Sequence, residues 1–313
     1  MTWCKLAPLP EDLDSRMTDH APALFETHRP HLLALAYRML GSRADAEDMV
    51  QDTWLRQKDV DLGEVEFVRA YLSRIATNLC LDRMQSARAR REQYVGFWLP
   101  EPLEDASAAF DPGPQAHIEY AQDVSVAFML ALERLSALER AAFLLHDVFD
   151  LGFDEVALRL GRSAAACRQL AARARTHLRS DQARVEVQQE QAEQLLGAFV
   201  QTIANGDTEA LARLLSDDAV MLSDGGGIVA AVAQPLRGGA LIAKALVGFT
   251  KTHKAENYGL RFTRLNGLPA VVLYSAQGQV LQTTAVQTDA QGYINALYIM
   301  RNPEKLTRIG PLQ

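Results

Sequence analysis

Hydrophobic periodicity changes once along this chain, and that change constrains what it can fold into. Up to about residue 215 the apolar residues recur at spacings of three and four, the pattern of helices that bury one face. Beyond it, strand-like segments at 219–222, 258–265, 269–275, 279–288 and 292–300 are punctuated by Asn266-Gly267 and Gln277-Gly278, pairs that mark hairpin turns. Helices followed by a run of antiparallel strands predict an all-α front and a separate α+β domain behind it. With 313 residues the chain has room for two or three domains, each with its own core. No fixed-period repeat is present.

Composition narrows the function classes. Hydrophobic residues make up 48% and charged residues 23%, which is globular rather than disordered. Lys+Arg number 32 against 39 Asp+Glu, a net charge of −7, so a uniformly basic nucleic-acid coat is excluded while a local basic patch is not. Cys4, Cys80 and Cys167 are scattered, giving neither a disulfide framework nor zinc-ligand spacing, which fits a reducing cytoplasm. No apolar run reaches the ~18 residues of a membrane span, and residues 1–21 lack the apolar stretch of a signal peptide. That segment reads as a disordered leader, with Met17 an alternative start. The expectation is therefore no metal, no cofactor and no membrane partner.

Residues 22–91 read as three helices. Leu24, Phe25, Leu32, Leu35, Ala36, Met39 and Leu40 form one apolar face; Gly41 stops that helix and Ser42 caps the next. The second helix carries Val50, Trp54 and Leu55 beside an acidic set, Asp45, Glu47, Asp48 and Asp52. A third, about 65–90, buries Phe67, Leu72, Ile75 and Leu79. It ends in a basic cluster, Arg83, Arg88, Arg90 and Arg91, which by itself reads more readily as a solvated helix end than as a DNA contact. Residues 92–123 then hold seven acids, no Lys or Arg, and Pro100, Pro102, Pro112 and Pro114, a proline-stiffened linker. Tyr94, Phe97, Trp98 and Leu99 inside it predict docking on another surface.

The strongest local motif lies at 152–180. One helix packs Val156, Ala157 and Leu160; Gly161 supplies a left-handed residue; Ser163 caps a second helix whose N-terminal end faces outward. From Arg162 to Ser180 there are five arginines and no acid. This predicts a helix-turn-helix whose second helix enters the major groove while its arginines hold phosphates or base edges. The plainer alternative is a helical hairpin with a solvated arginine face.

These residues carry a family resemblance. Segment 22–91 resembles region 2 of an extracytoplasmic-function (ECF) sigma factor, through Asp45-Ala46-Glu47-Asp48-Met49-Val50-Gln51-Asp52-Thr53-Trp54 and through Ala70-Tyr71-Leu72 with Ile75-Ala76-Thr77-Asn78-Leu79 and Asp82. Segment 125–180 resembles region 4, through Leu135-Ser136-Ala137-Leu138-Glu139-Arg140 and the helix-turn-helix. Trp98-Leu99-Pro100-Glu101-Pro102, Asp224-Gly225-Gly226-Gly227 and Asn302-Pro303-Glu304-Lys305-Leu306 resemble the subgroup with a fused SnoaL-like (NTF2-like) C-terminal domain, called ECF41 or SigJ-like. The likeness covers nearly all of 22–308. Phe97, Ile228 and Glu304 depart from residues common at those positions, and Ile228 weakens any charge-dependent role for the loop after the glycines.

The resemblance implies a multidomain fold: region 2 over 22–91, a linker over 92–123, region 4 over 124–182 and a cone-shaped SnoaL-like α+β domain over 183–313. It implies core RNA polymerase as partner of Asp45, Glu47, Asp48, Gln51 and Asp52. It implies −10 promoter contacts for Asn78, Asp82, Arg83, Arg88, Arg90 and Arg91, with Tyr71 either a base stacker or core. It implies −35 contacts for Arg162, Ser163, Arg168, Gln169, Arg173 and Arg175. The WLPEP linker, the Gly run and the 302–306 segment are expected to form an intramolecular regulatory contact; as plain structure they would be a flexible turn and a capping turn. An interior cavity opens two other readings, a small-molecule sensor or a fused isomerase or hydrolase. Asp217, Asp218, Asp224 and His253 are the candidate groups for the latter, and no spacing ties them together. A stand-alone helix-turn-helix regulator is the remaining alternative.

Overall fold

In the computed structural model, residues 20–92, 94–104, 125–179, 189–252 and 258–312 are described. Most of the leader, residues 105–124 of the linker, and His253 lie outside them. Helix α1 spans His20–Leu40. Gly41 ends it at φ 69°, its N–H donating to Tyr37 O at 2.7 Å. Ser42 caps α2, Arg43–Gln57, by accepting from Asp45 N at 3.1 Å. Helix α3 runs Val68–Glu92 and begins later than expected. Asp61 accepts from Gly63 N and turns Leu62–Glu64 into a 3₁₀ segment, after which Val65 is extended. The chain before α3 is thus used in a turn, and Phe67 is 67% exposed instead of buried. Trp54 packs edge-on against Phe25, whereas Leu55 points to solvent.

The second helical unit comprises α4 (Val126–Glu133), α5 (Ala137–Phe143), π-helical turns at Leu144–Val148, α6 (Phe153–Leu160) and α7 (Ala164–Arg179). A reciprocal cap opens α5: Ser136 Oγ accepts from Glu139 N, and Glu139 accepts from Ser136 N. The two helical units share one apolar core, in which Leu32, Leu35, Met39 and Leu72 join Met129, Leu132, Leu144 and Cys167. Cys80 and Cys167 are buried free thiols.

The third unit starts with α8 (Gln189–Asn205) and α9 (Thr208–Leu214), the latter capped by Asp207. Six strands follow: β1 Leu215–Asp224, β2 Leu236–Arg237, β3 Gly259–Leu265, β4 Leu268–Tyr274, β5 Val280–Thr288 and β6 Ile294–Met300. They form one sheet in the order β2-β1-β6-β5-β4-β3. Only β1 and β6 run parallel among these pairs. The β3–β4 turn has Asn266 and Gly267 both at positive φ, 51° and 75°, as its dipeptide demands. Strand β1 is longer than expected.

Helix α10 (Gly239–Thr252) was not anticipated. Its Ile242, Ala243, Leu246 and Val247 fall on one buried face. Gly239 is required at its start, since a Cβ there would lie 2.8 Å from Ser216 O. Helices α8–α10 cover one face of the sheet, and the space between is filled by Leu196, Phe199, Met221, Ile242, Leu297 and Ile299. The opposite face packs on Leu99 of the linker and Val126 of α4. The architecture is therefore two helical units followed by an α+β domain, with the linker pressed between them. Among the described residues no helix is long and apolar enough to cross a membrane.

Candidate nucleic-acid interface and linker clamp

Helix α7 presents its outer face freely. Arg162, Ser163, Arg168, Gln169 and Arg173 are exposed, while Cys167, Ala171, Ala174 and Leu178 hold the inner face. Gly161 closes α6 at φ 61° and ψ 39°, and Ser163 Oγ accepts from Ala166 N at 3.2 Å. The basic groups are oriented from below. Arg168 lies over Phe153, 5.5 Å to the ring centroid; Arg175 Nε donates to Asp147 Oδ1 at 2.7 Å; Arg173 is 4.0 Å from Glu139. The result is a turn, a cap and a cationic strip on one exposed helix, suited to a duplex groove.

On the first unit the sequence-predicted residues divide. Asp48, Gln51, Asn78 and Asp82 are exposed. Arg83 Nε donates to Asp45 Oδ1 at 3.0 Å, so one predicted DNA residue is bound to one predicted polymerase residue. Glu47 accepts from Arg43 within α2 and from Arg308 of the C-terminal tail, the latter at 2.9 Å. Asp52 is half-buried, and Tyr71 packs partly against the core. Arg88, Arg90 and Arg91 lie in α3, but their side chains fall outside the described residues.

The linker residues form a clamp. Asp224, fully buried at the end of β1, accepts from Tyr94 Oη at 2.6 Å, Leu99 N at 2.9 Å and Gly226 N at 3.0 Å. Lys305 Nζ donates to Asp224 Oδ2 at 2.8 Å and to Leu99 O at 2.6 Å, and stands 4.4 Å above the Trp98 ring. Asn302 Nδ2 donates to Tyr94 Oη at 2.9 Å. Burial, then the bond to Asp224, pushes the Tyr94 phenol up, so it remains a donor. The glycine run is tight for steric reasons: a Cβ on Gly226 would meet Asn302 at 2.5 Å, and one on Gly227 would meet Val95 at 2.9 Å. Ile228 is exposed.

The other side of the linker grips the first helical unit. Trp98 covers Gly41, where any Cβ would run into its indole. Glu101 is buried at the start of α2, accepting from Arg43 N at 2.8 Å and Ala44 N at 3.2 Å. Burial raises its carboxyl above the usual range against those bonds. Tyr37 Oη donates to Glu101 O at 2.9 Å and accepts from Asn266 Nδ2 at 2.8 Å. Leu103 pairs with Asn266 through N to Oδ1 at 3.0 Å, and Glu104 binds Arg261 at 2.5 Å. Pro100 and Pro102 line a small gap beside Asn266; Pro303 and Glu304 lie in the turn that brings in Lys305, and Leu306 is buried under it. Asn266, read from sequence only as a turn residue, and Tyr37, which the sequence did not single out, are thus part of the clamp. No sequence signal separates a turn Asn that also bonds a partner from one that does not.

Gly41→Ala tests the fit directly. The substitution combines a strained positive φ with a collision against Trp98, and should lower stability by about 1–3 kcal/mol. Urea titration followed by Trp fluorescence reads both the midpoint and the loss of the buried indole.

The helix-turn-helix beside an acidic three-helix unit defines a bipartite promoter-recognition protein, and the comparisons agree. The Sigma-70 region 2 family matches residues 24–90, and the Sigma-70 region 4 family matches residues 125–178. The chain is 35% identical over 293 residues to the ECF RNA polymerase sigma factor SigJ of Mycobacterium tuberculosis, covering 90% of this chain and 92% of that one. It is 35% identical over 204 residues to the probable ECF RNA polymerase sigma factor SigI of the same organism, covering 64% and 69%. The crystal structure of M. tuberculosis SigJ superposes with a TM-score of 0.70 at 32% identity, covering 93% of this chain and all of that one. The chain belongs to the ECF RNA polymerase sigma factors.

Proposed function

We propose that this protein is a promoter-specificity subunit of RNA polymerase whose α+β domain governs, in cis, how far its two DNA-binding units can separate. Asp224 carries this reading: one buried carboxylate holds Tyr94 and Leu99 of the linker and Lys305 of the tail together. Because the domain is tethered, the clamp acts at high effective concentration and stays populated even where each contact is weak. A partner that prefers the separated arrangement shifts the balance by its differential affinity for the two states. The acidic face of α2, with Asp48 and Gln51 exposed, is the docking surface for core polymerase; α3 reads the −10 element and α7 the −35 element.

No catalytic constellation is needed for this role. Asp224 is committed to the linker, and Asp218 accepts from Ser216 at 2.8 Å on the surface. The reading is tested by in vitro transcription with core RNA polymerase on a promoter library, comparing the full chain with its Arg168→Ala/Arg173→Ala variant. Wild type should initiate from a shared motif, and the double variant should bind those promoters at least tenfold more weakly with a shallower salt dependence. Duplex binding without any initiation would favour a stand-alone regulator.

A further inference from the structure

Between the two helical units lies a cavity of about 730 Å³ that the clamp does not use. Its walls come from both sides: His28, His31, Phe67, Arg69 and Ser73 from α1, α3 and the turn before it, and Phe149 and Arg159 from the second unit. Its size falls within the roughly 300–1,000 Å³ of small-molecule sites.

Its chemistry is cationic on aromatic walls. Arg159 is 5% exposed; Nη2 donates to Glu155 at 3.0 Å, while Nε and Nη1 are buried with no acceptor. Those two nitrogens are closed to water, so Arg159 acts on the cavity through its charge and through Nη2, not through its unmet donors. Arg69 Nη2 donates to His31 Nδ1 at 3.2 Å, and His31 Nε2 lies 3.0 Å from Ser73 Oγ. Ser73 itself donates to Arg69 O at 2.7 Å, so His31 is the neutral Nε2–H tautomer. Burial first, then Arg69, His28, Arg38 and Arg159, pull His31 down to about 3. His28 is lowered by burial and by Arg69. The local field is therefore positive without either histidine being charged. The opposing acids are Asp150, which is exposed, and Glu155, already bound to Arg159. Apolar surface is supplied by Phe67, whose ring is free in solvent, and by Phe149, held edge-on to His31 at 4.9 Å.

We propose that this cavity is a binding site for a small aromatic anion, its carboxylate or phosphate held by Arg69 in the positive field of Arg159 and its ring placed against Phe67 and Phe149. Such a ligand touches both helical units and so favours the arrangement in which they are packed together. That consequence rests on the sigma-factor reading; the site itself does not.

The test uses the full chain and no polymerase, so failure of the sigma-factor reading leaves its outcome unaffected. The probe is 1-naphthyl phosphate, followed by titration calorimetry and thermal melting, with 1-naphthol and inorganic phosphate as the separated halves. One-to-one saturable binding is expected, at least tenfold tighter than either half, with a raised Tm. Phe67→Ala and Arg69→Gln, both at exposed positions that leave the core intact, should each weaken it at least tenfold, with unchanged circular dichroism showing that the fold survives. Absence of saturable binding, equal binding of either half alone, or binding indifferent to both substitutions overturns the proposal.

Discussion

Asp224→Ala will release the linker from the α+β domain while leaving each unit folded. The carboxylate is fully buried and serves four donors: Tyr94 Oη, Leu99 N, Gly226 N and Lys305 Nζ. Removing one member of a buried charge pair costs about 3–5 kcal/mol, because the remaining charge has no water to turn to. Here that charge is Lys305, whose side chain is only 13% exposed. It can recover hydration only if the 302–306 turn or the linker moves away. The loss therefore falls on docking, not on the sheet, whose β1–β6 ladder does not involve this side chain. Hydrogen exchange should show the Leu99 amide opening about 10²–10⁴-fold faster, the equivalent of that free energy. Amides of α7 should be unchanged. Asp224→Asn retains an acceptor but no charge, and should fall between. An unaltered Leu99 exchange rate in Asp224→Ala would sink the clamp.

The clamp also explains why parts of the molecule were legible and others were not. Elements bounded by local chemistry could be read: Gly41 then Ser42, Gly161 then Ser163, and Asn266-Gly267 each specify a turn from within a few residues. Helix α10 was missed because only the sheet defines its buried face. Phe67 was placed in the core because its spacing fits the helix; Asp61 turns the chain before the helix begins. The linker's aromatics announced that something must cover them. The partners of Tyr94 lie more than a hundred residues away, at Asp224 and Asn302, and the family resemblance, not local pattern, pointed to them. Local pattern reports a face; which face meets which is set by tertiary packing.

Arg140→Met should separate the two helical units. Arg140 is the largest of the fully buried side chains, and burial alone pulls its guanidinium down to about 9. What holds it there is a set of acceptors from both units. Nη1 donates to Met39 O at the end of α1, at 2.7 Å, and to Glu133 at 2.8 Å; Nε donates to Leu132 O at 2.9 Å. Only the first of these crosses between units, and it caps a carbonyl that α1 cannot satisfy in its last turn. Methionine fills much of the volume but takes the Arg140 donor from the buried Met39 carbonyl, worth about 1–3 kcal/mol, and from Glu133, while Leu132 O keeps its bond from Leu135 N at 3.1 Å. The expected loss is about 3–5 kcal/mol, of which the crossing bond is the share that bears on domain separation. Arg140→Lys carries the charge but lacks the planar fork needed to reach three acceptors, so it should recover less than half. Energy transfer between dyes on α2 and α7 gives the decisive readout, since a purely local defect would lower the urea midpoint without changing distance. Loss of transfer in Arg140→Met, before global unfolding, is the expected result. A normal distance with a stability change below 1 kcal/mol would show that the shared apolar core alone fixes the two units, and that the buried arginine is dispensable to their packing.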